Sequence, residues 1–368
     1  MSKKTKQDEL SFEPEEKRSA LRVALQVFLK ILVAAVIIFL LAFFLAPPIE
    51  EVIVRASGAA GGESTAEDEG YKPADWMLAV DGNLLLSQIT LPGTHDSCTR
   101  FVQLASVSKC QAYSIGEQLE LGYRYLDIRL DYEEQEDGSA RLKLVHGITN
   151  CKTGFWPWTE KIYLEDVLED CYAFLKEHDT ETVVFVVKNE NGADMESVQR
   201  TLDEVISQNE EMWLLTDEMP TLDEARGRIV LLRRYDDEAG LGERAGVYFV
   251  WETFSDPVLC IPAYLTGLAP DLKVQDRYCL NTEDKWTAFT DSLEVLKEEE
   301  GSEGTKVSRI HFLSTKGHGY VGHPYWYAAP LNARLMEYDF EEGYSYGWII
   351  VDFGDEELAR RIYSLNFN

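Results

Sequence analysis

The sequence predicts an α/β protein, a parallel (β/α)8 barrel preceded by a single N-terminal transmembrane helix. Three observations carry this. Eight short apolar runs alternate with helical patterns over roughly the last 290 residues. One uncharged stretch near the start is long enough to cross a bilayer. No GxGxxG follows the first run, so nothing supports an open dinucleotide-binding sheet.

Residues 1–20 are polar and charged and are expected to form a cytoplasmic tail. Residues 21–49 form the transmembrane signal anchor, in which Ile31–Ile49 carries no charge. Seven Lys and Arg lie in the first thirty residues, and only Arg55 in the twenty that follow Ala46. That asymmetry places the N-terminus in the cytoplasm and the rest outside. Cleavage after Ala56 is the rival expectation, but the long charged lead and Pro47-Pro48 at the end of the span favour an uncleaved anchor. Residues 50–75, rich in Gly, Ala, Ser and acid, read as a flexible stalk, and 76–368 as the barrel.

The strand runs are Ser87–Leu91, Tyr123–Leu130, Leu142–Val145, Thr182–Val187, Arg228–Leu232, Leu272–Val274, Arg309–Leu313 and Trp348–Val351. Ser114-Ile115-Gly116-Glu117 is a capping box that opens a helix through Leu121. Leu164–Lys176 and Met195–Gln208 have helical apolar spacing, and Glu298–Lys306 is a polar loop.

The chain of 368 residues carries a net charge of −30. The first thirty residues are net +2 and the next sixteen uncharged, which leaves −32 for the exported part. Nucleic acid is excluded as the main partner, because phosphate neutralisation needs the opposite sign. The six cysteines all follow the span; their even number is compatible with disulfides and equally with buried thiols, and no CxxC supports a zinc ribbon.

On a barrel, residues at the C-terminal ends of strands face one site. Those ends read His95-Asp96, Asp127-Ile128-Arg129, His146-Gly147, Lys188-Asn189-Glu190, Arg233-Arg234, Asp276-Arg277-Tyr278 and Asp352-Phe353. Any one of these has an ordinary structural explanation; successive strand ends supplying two histidines, cations and acids do not. Two imidazoles and an arginine suit metal-free phosphodiester cleavage. One imidazole takes a proton from a hydroxyl, the other protonates the leaving oxygen, and the guanidinium holds the phosphate.

The motifs LPGTHDS, GYRYLDIRL, LVHG, ETVVFVVKNE, RGRIVLLRRY, KVQDRY and IIVDF resemble, in that order, bacterial phosphatidylinositol-specific phospholipase C. The X domain of eukaryotic phospholipases C shares the first several. The resemblance covers Trp76 to the end and implies a distorted TIM barrel. It implies His95 as general base on the inositol 2-hydroxyl and His146 as general acid. It implies Arg129 on the phosphate, Asp96 paired with His146, and Asp352 orienting His95, with Asp127 supporting the site electrostatically. Lys188, Arg234, Asp276 and Tyr278 match inositol-binding positions, with Arg233 as the substitute if the register there slips by one. The implied reaction is that of a phosphatidylinositol diacylglycerol-lyase. Its expected lipid is phosphatidylinositol or a glycosylated form, with no cofactor, and Arg129 holds the place of a metal. A metal-dependent glycerophosphodiester-type phosphodiesterase and a non-catalytic inositol-headgroup-binding module are the alternatives.

Phe155, Trp156 and Trp158 are expected at the rim, where aromatic residues enter a bilayer interface, or packed inward as an ordinary loop cluster. Tyr325-Trp326-Tyr327 is expected to open a helix packed on the barrel. Lys316–His323 reads as a mobile Gly/His loop, with metal binding by its two histidines the lesser reading. His178 and His311 are expected to be structural.

Overall fold

A computed structural model describes residues 15–60, 72–156, 158–252, 272–300, 307–317 and 322–367. The expectations for 1–14, 61–71, 301–306, 318–321 and Cys260 lie outside the described residues. The strands are β1 (Leu91–Thr94), β2 (Tyr125–Glu134), β3 (Ala140–His146), β4 (Thr149–Asn150), β5 (Val183–Asn189), β6 (Trp213–Leu214), β7 (Ile229–Arg233), β8 (Val247–Tyr248), β9 (Leu272–Gln275), β10 (Ser308–Phe312) and β11 (Trp348–Val351). The helices are α1 (Glu15–Ala60), α2 (Ala105–Ser108), α3 (Ile115–Glu120), α4 (Leu164–Glu177), α5 (Met195–Ile206), α6 (Leu222–Ala225), α7 (Thr282–Glu300), α8 (Pro324–Glu337) and α9 (Glu356–Tyr363).

The chain divides into two compact units, 1–47 and 48–368. In the first, α1 is long and apolar enough to cross a membrane, and its apolar side chains are exposed. It does not stop at Pro47-Pro48: residues 50–60, expected as stalk, are helical.

The second unit is a curled parallel sheet in the order β6-β7-β5-β2-β1-β11-β10-β9, with β8 sharing the outer edge of β7. Among the described residues no ladder joins β8 to β9, so the sheet is a TIM-like barrel left open at one seam. Two strand expectations change. Leu142–Val145 is no barrel strand: β3 returns antiparallel along β2, Leu130 opposite Leu144. Only residues 135–139 separate the two, and a parallel return needs a dozen or more. Short β8, which opens the apolar run 247–251 outside the eight predicted strands, pairs with β7 instead. The first strand begins at Leu91, and Leu86–Gln88 form a 3-10 turn instead. Pro92 and Gly93 discourage a strand locally. The ladder to β11 nevertheless accepts them, and Gly93 is required there because a Cβ would meet Ile350 Cδ1 at 2.4 Å and Tyr125 Cβ at 2.7 Å.

The helices follow from their patterns. Ser114 and Glu117 close the capping box of α3, with Ser114 N donating to Glu117 Oε2 at 2.8 Å. α4 buries Leu164, Val167, Leu168, Cys171, Phe174 and Leu175 on one face. α5 starts at the cap Asp194, whose carboxylate accepts from Ser197 N. α8 buries Ala328, Leu331 and Leu335 and leaves Trp326 exposed. Cys98, Cys110, Cys151 and Cys171 are buried free thiols.

Alternation along the strands links core to site. Leu126, Ile128, Phe185, Val187 and Leu231 pack in one apolar cluster with α4 and α5. The intervening Tyr125, Val184, Val186, Val230 and Leu232 join another. That second face continues upward into Asp127 and Arg129 on β2, Lys188 on β5 and Arg234 just beyond β7. The same pleat supplies apolar packing below and charge above.

Candidate active site

The turn after β1 is braced before any chemistry is considered. Thr94 Oγ1 meets Ser97 Oγ at 2.7 Å, Asp127 N donates to Ser97 Oγ, and Asp96 N donates to Asp127 Oδ2. Asp96 has φ +45°, in the left-handed region that costs a non-glycine residue about 1–2 kcal/mol. The surrounding bonds hold it there, and its carboxylate is brought between two imidazoles.

His95 Nδ1 lies 2.8 Å from Asp352 Oδ1, and its Nε2 lies 3.2 Å from Asp96 Oδ2. The same Asp96 oxygen stands 3.3 Å from His146 Nε2. His146 Nδ1 faces Ser108 O at 2.8 Å, so this nitrogen carries the proton and Nε2 is left for exchange. Although β3 is a hairpin strand rather than a barrel strand, its end still delivers His146 to the barrel mouth.

Arg129 is the hub. Its Nε lies 2.7 Å from Asp96 Oδ1, its Nη2 3.1 Å from Asp127 Oδ2 and 2.9 Å from His95 Nε2, and its Nη1 3.4 Å from Glu190 Oε1. Burial works against its charge, but Asp127, Asp96 and Glu190 outweigh it and raise its pKa. Burial likewise opposes ionisation of Asp127, and Arg129 and Arg234 prevail, holding its pKa below the usual carboxylate range. Burial lowers the pKa of His95, yet Asp96 and Asp352 overcome it and raise it to about 9, with Arg129 opposing them.

Lys188 Nζ pairs with Glu190 Oε2 at 2.6 Å. Arg234 lies 3.7 Å from Asp127 and stacks on the Trp251 ring at 3.5 Å, and Trp251 Nε1 donates to Asp276 Oδ2 at 3.0 Å. Arg233 turns the other way, donating to Gly246 O and Tyr235 O. The structure therefore brings Arg234, not Arg233, to the cluster. Tyr278 is half-buried, with Lys316 Nζ over its ring at 5.1 Å. Phe155, Trp156 and Trp158 are exposed rather than packed inward, and the two tryptophans stack at 5.1 Å.

Sequence reasoning gave no role to Glu190, Trp251, Ser108, Cys110 or Gln111. Glu190 was accessible in principle, since alternation sets it beside Lys188. Trp251 ends the apolar run 247–251, a strand signal that the eight predicted runs do not include. His95, Asp96 and Cys110 place ligand atoms within 4.8 Å of one another, close enough to hold a metal ion. The Arg129 guanidinium already occupies the other oxygen of that Asp96 carboxylate.

A barrel with two imidazoles, their partner carboxylates and a guanidinium at one end of its strands has the layout of an acid–base enzyme. Residues 90–235 match the model of the phosphatidylinositol-specific phospholipase C X domain. Over that stretch the chain is similar to the phosphatidylinositol-specific phospholipase C X-domain enzymes. A 1-phosphatidylinositol phosphodiesterase of Listeria monocytogenes is 24% identical over 309 residues, covering 79% of this chain and 84% of the relative. One from Staphylococcus aureus is 25% identical over 324 residues, covering 82% and 90%. A crystal structure of the Staphylococcus aureus phosphatidylinositol-specific phospholipase C superposes with a TM-score of 0.62 at 22% identity, over 80% of this chain and 97% of that one. It shows the shared fold.

Proposed function

We propose that this chain is a metal-independent phospholipase C acting on phosphatidylinositol or its glycosylated form. The observation that carries the reading is Asp96 Oδ2 standing within 3.3 Å of both imidazoles while Arg129 holds its other oxygen. His95, neutral and oriented through Nδ1 by Asp352, takes the proton of the inositol 2-hydroxyl. That oxygen attacks phosphorus and the bond to the diacylglycerol oxygen breaks. His146 gives that oxygen the proton it carries on Nε2, so the products are diacylglycerol and inositol 1,2-cyclic phosphate. Arg129 meets the charge that grows on the phosphate oxygens and is the cation of the site. Asp127 fixes Arg129, and Asp96 fixes His146. Lys188, Arg234, Asp276 and Tyr278 bind the inositol, with Trp251 setting the angle of Arg234.

The exposed Phe155, Trp156 and Trp158 lie in the loop after β4 and form a rim that enters the lipid interface. The apolar part of α1 spans the membrane as an uncleaved signal anchor. The Lys- and Arg-bearing tail is on the cytoplasmic side and the barrel, from residue 76 on, is extracellular. With −32 on the exported part, adsorption to an anionic surface is opposed, so the anchor and the aromatic rim supply the contact.

Phosphorus NMR of the chain with phosphatidylinositol micelles in excess EDTA tests this. A cyclic inositol phosphate signal that vanishes in His95→Ala is expected. Product only after calcium or magnesium is added would overturn metal independence, and binding without product would leave a headgroup-binding module.

A further inference from the structure

The last turns of α1 belong to the barrel unit, and they reach the segment to which both histidines are hydrogen-bonded. Glu51 Oε2 lies 2.8 Å from Lys109 Nζ, and the Lys109 side chain is only 2% exposed. The other Glu51 oxygen takes Arg100 at 3.1 Å and Arg55 at 3.3 Å. Arg55 in turn forks onto both oxygens of Glu117 and donates to Ala112 O. Val54 packs in one apolar cluster with Ala112, Tyr113, Ala328 and Phe353.

Residues 108–111 connect this docking to the chemistry. Ser108 O receives His146 Nδ1 at 2.8 Å. Cys110 O accepts from Phe353 N, the residue after Asp352, at 2.8 Å. Gln111 Nε2 donates to His95 O at 2.7 Å and to Val351 O at 3.1 Å. Lys109 sits in the middle of this segment, and an ammonium buried without its partner is strongly unfavourable. Were Glu51 neutral, Lys109 would turn outward and take Ser108 and Cys110 with it.

We propose that Glu51 is a positioning residue for the phospholipase reaction: through Lys109 it holds the Ser108–Gln111 segment so that His95 and His146 face one phosphate. The inference rests on the acid–base reading above. It makes the docked end of α1 a working part of the active site rather than a tether.

The test uses the full chain in detergent micelles. In Glu51→Gln, kcat on phosphatidylinositol is expected to fall about 10- to 100-fold, as displaced catalytic groups do, with KM held within about twofold. The imidazole resonances of His95 and His146 move, while those of His178 and His311 stay. Adding Lys109→Met, which removes the stranded ammonium, recovers most of the lost turnover. Parent kcat in Glu51→Gln, unmoved resonances, or all four histidines shifting together would each overturn the proposal. If Glu51→Gln does not accumulate, Glu51→Asp, which withdraws the carboxylate by one methylene, takes its place with the same direction expected. The resonances are read without lipid, so a parent chain that cleaves no phosphatidylinositol sinks the proposed activity and leaves the Glu51 test readable.

Discussion

Arg129 Nη2 stands 2.9 Å from His95 Nε2. A guanidinium only donates, so this contact needs a lone pair on Nε2 and a proton on Nδ1, where Asp352 waits at 2.8 Å. The geometry is that of the neutral imidazole. Protonation turns Nε2 into a donor, for which Asp96 Oδ2 at 3.2 Å is the ready acceptor.

That relationship sets a pH profile. In the proposed mechanism His95 must be unprotonated, so kcat/KM rises with pH until the proton is lost. Because the two carboxylates lift its pKa to about 9, the acid limb should lie above pH 6.5, toward 9. Asp352→Asn removes one of them, so the limb moves to lower pH while the plateau falls. A limb that stays in place in Asp352→Asn would show that another group governs it. The same shift bears on stability: a folded pKa raised above the unfolded value contributes fully below pH 6.5 and is lost as pH rises through about 9.

Removing either imidazole should be severe. His95→Ala and His146→Ala are each expected to lose about 10²–10⁴-fold in kcat, with substrate binding largely kept. Steady-state assays with a parallel vesicle-binding measurement check both halves. Near-parent turnover in either variant ends the acid–base assignment.

Arg129→Lys tests the fork rather than the charge. Lysine cannot reach Asp96, Asp127, Glu190 and a phosphate with one ammonium. A loss of about 100-fold or more in kcat is expected, of the size found for single oxyanion donors. A variant that keeps most of its rate would mean that charge alone suffices.

Two stability predictions lie away from the site. Arg124 and Glu181 form a fully buried pair at 2.8 Å, with further Arg124 bonds to Leu119 O, Tyr123 O and Ala74 O. Glu181→Gln leaves that guanidinium unneutralised and should lower unfolding free energy by about 3 kcal/mol. The urea midpoint of the full chain in detergent reads it.

His311 is completely buried beside Ser292, and burial, with Arg309 and Lys285 adding to it, lowers its pKa to about 3. A depressed folded pKa means stability present above pH 6.5 and lost as pH falls toward 3. Between pH 6.5 and 5 this costs about 2 kcal/mol. His311→Gln should flatten that part of the profile, and equal acid sensitivity in the two chains would refute it.

The sequence reads well where local and global demands agree. Where buried parallel strands are uniformly apolar, β5 and β11 stand out, and the polar residues ending them lie in the candidate site. It reads poorly where tertiary context overrides local preference. Pro92-Gly93 says turn, yet the β11 ladder makes it strand. The run Leu142–Val145 has strand composition, but only the five residues before Ala140 reveal it as a hairpin partner. Helix through residues 50–60 runs against the Gly and Ser there and is held by Val54 and Arg55 against the barrel unit. Trp251 is hidden as a site residue because its importance lies in the cation it meets, Arg234.

The first and last parallel strands, β1 and β11, are neighbours, and His95 and Asp352 are 257 residues apart in the chain. A nascent polypeptide thus cannot pair His95 with Asp352 until β11 has emerged. Contacts of such long sequence separation also form late and slowly. A product terminated short of β11 lacks Asp352, the carboxylate that stands at Nδ1 of His95.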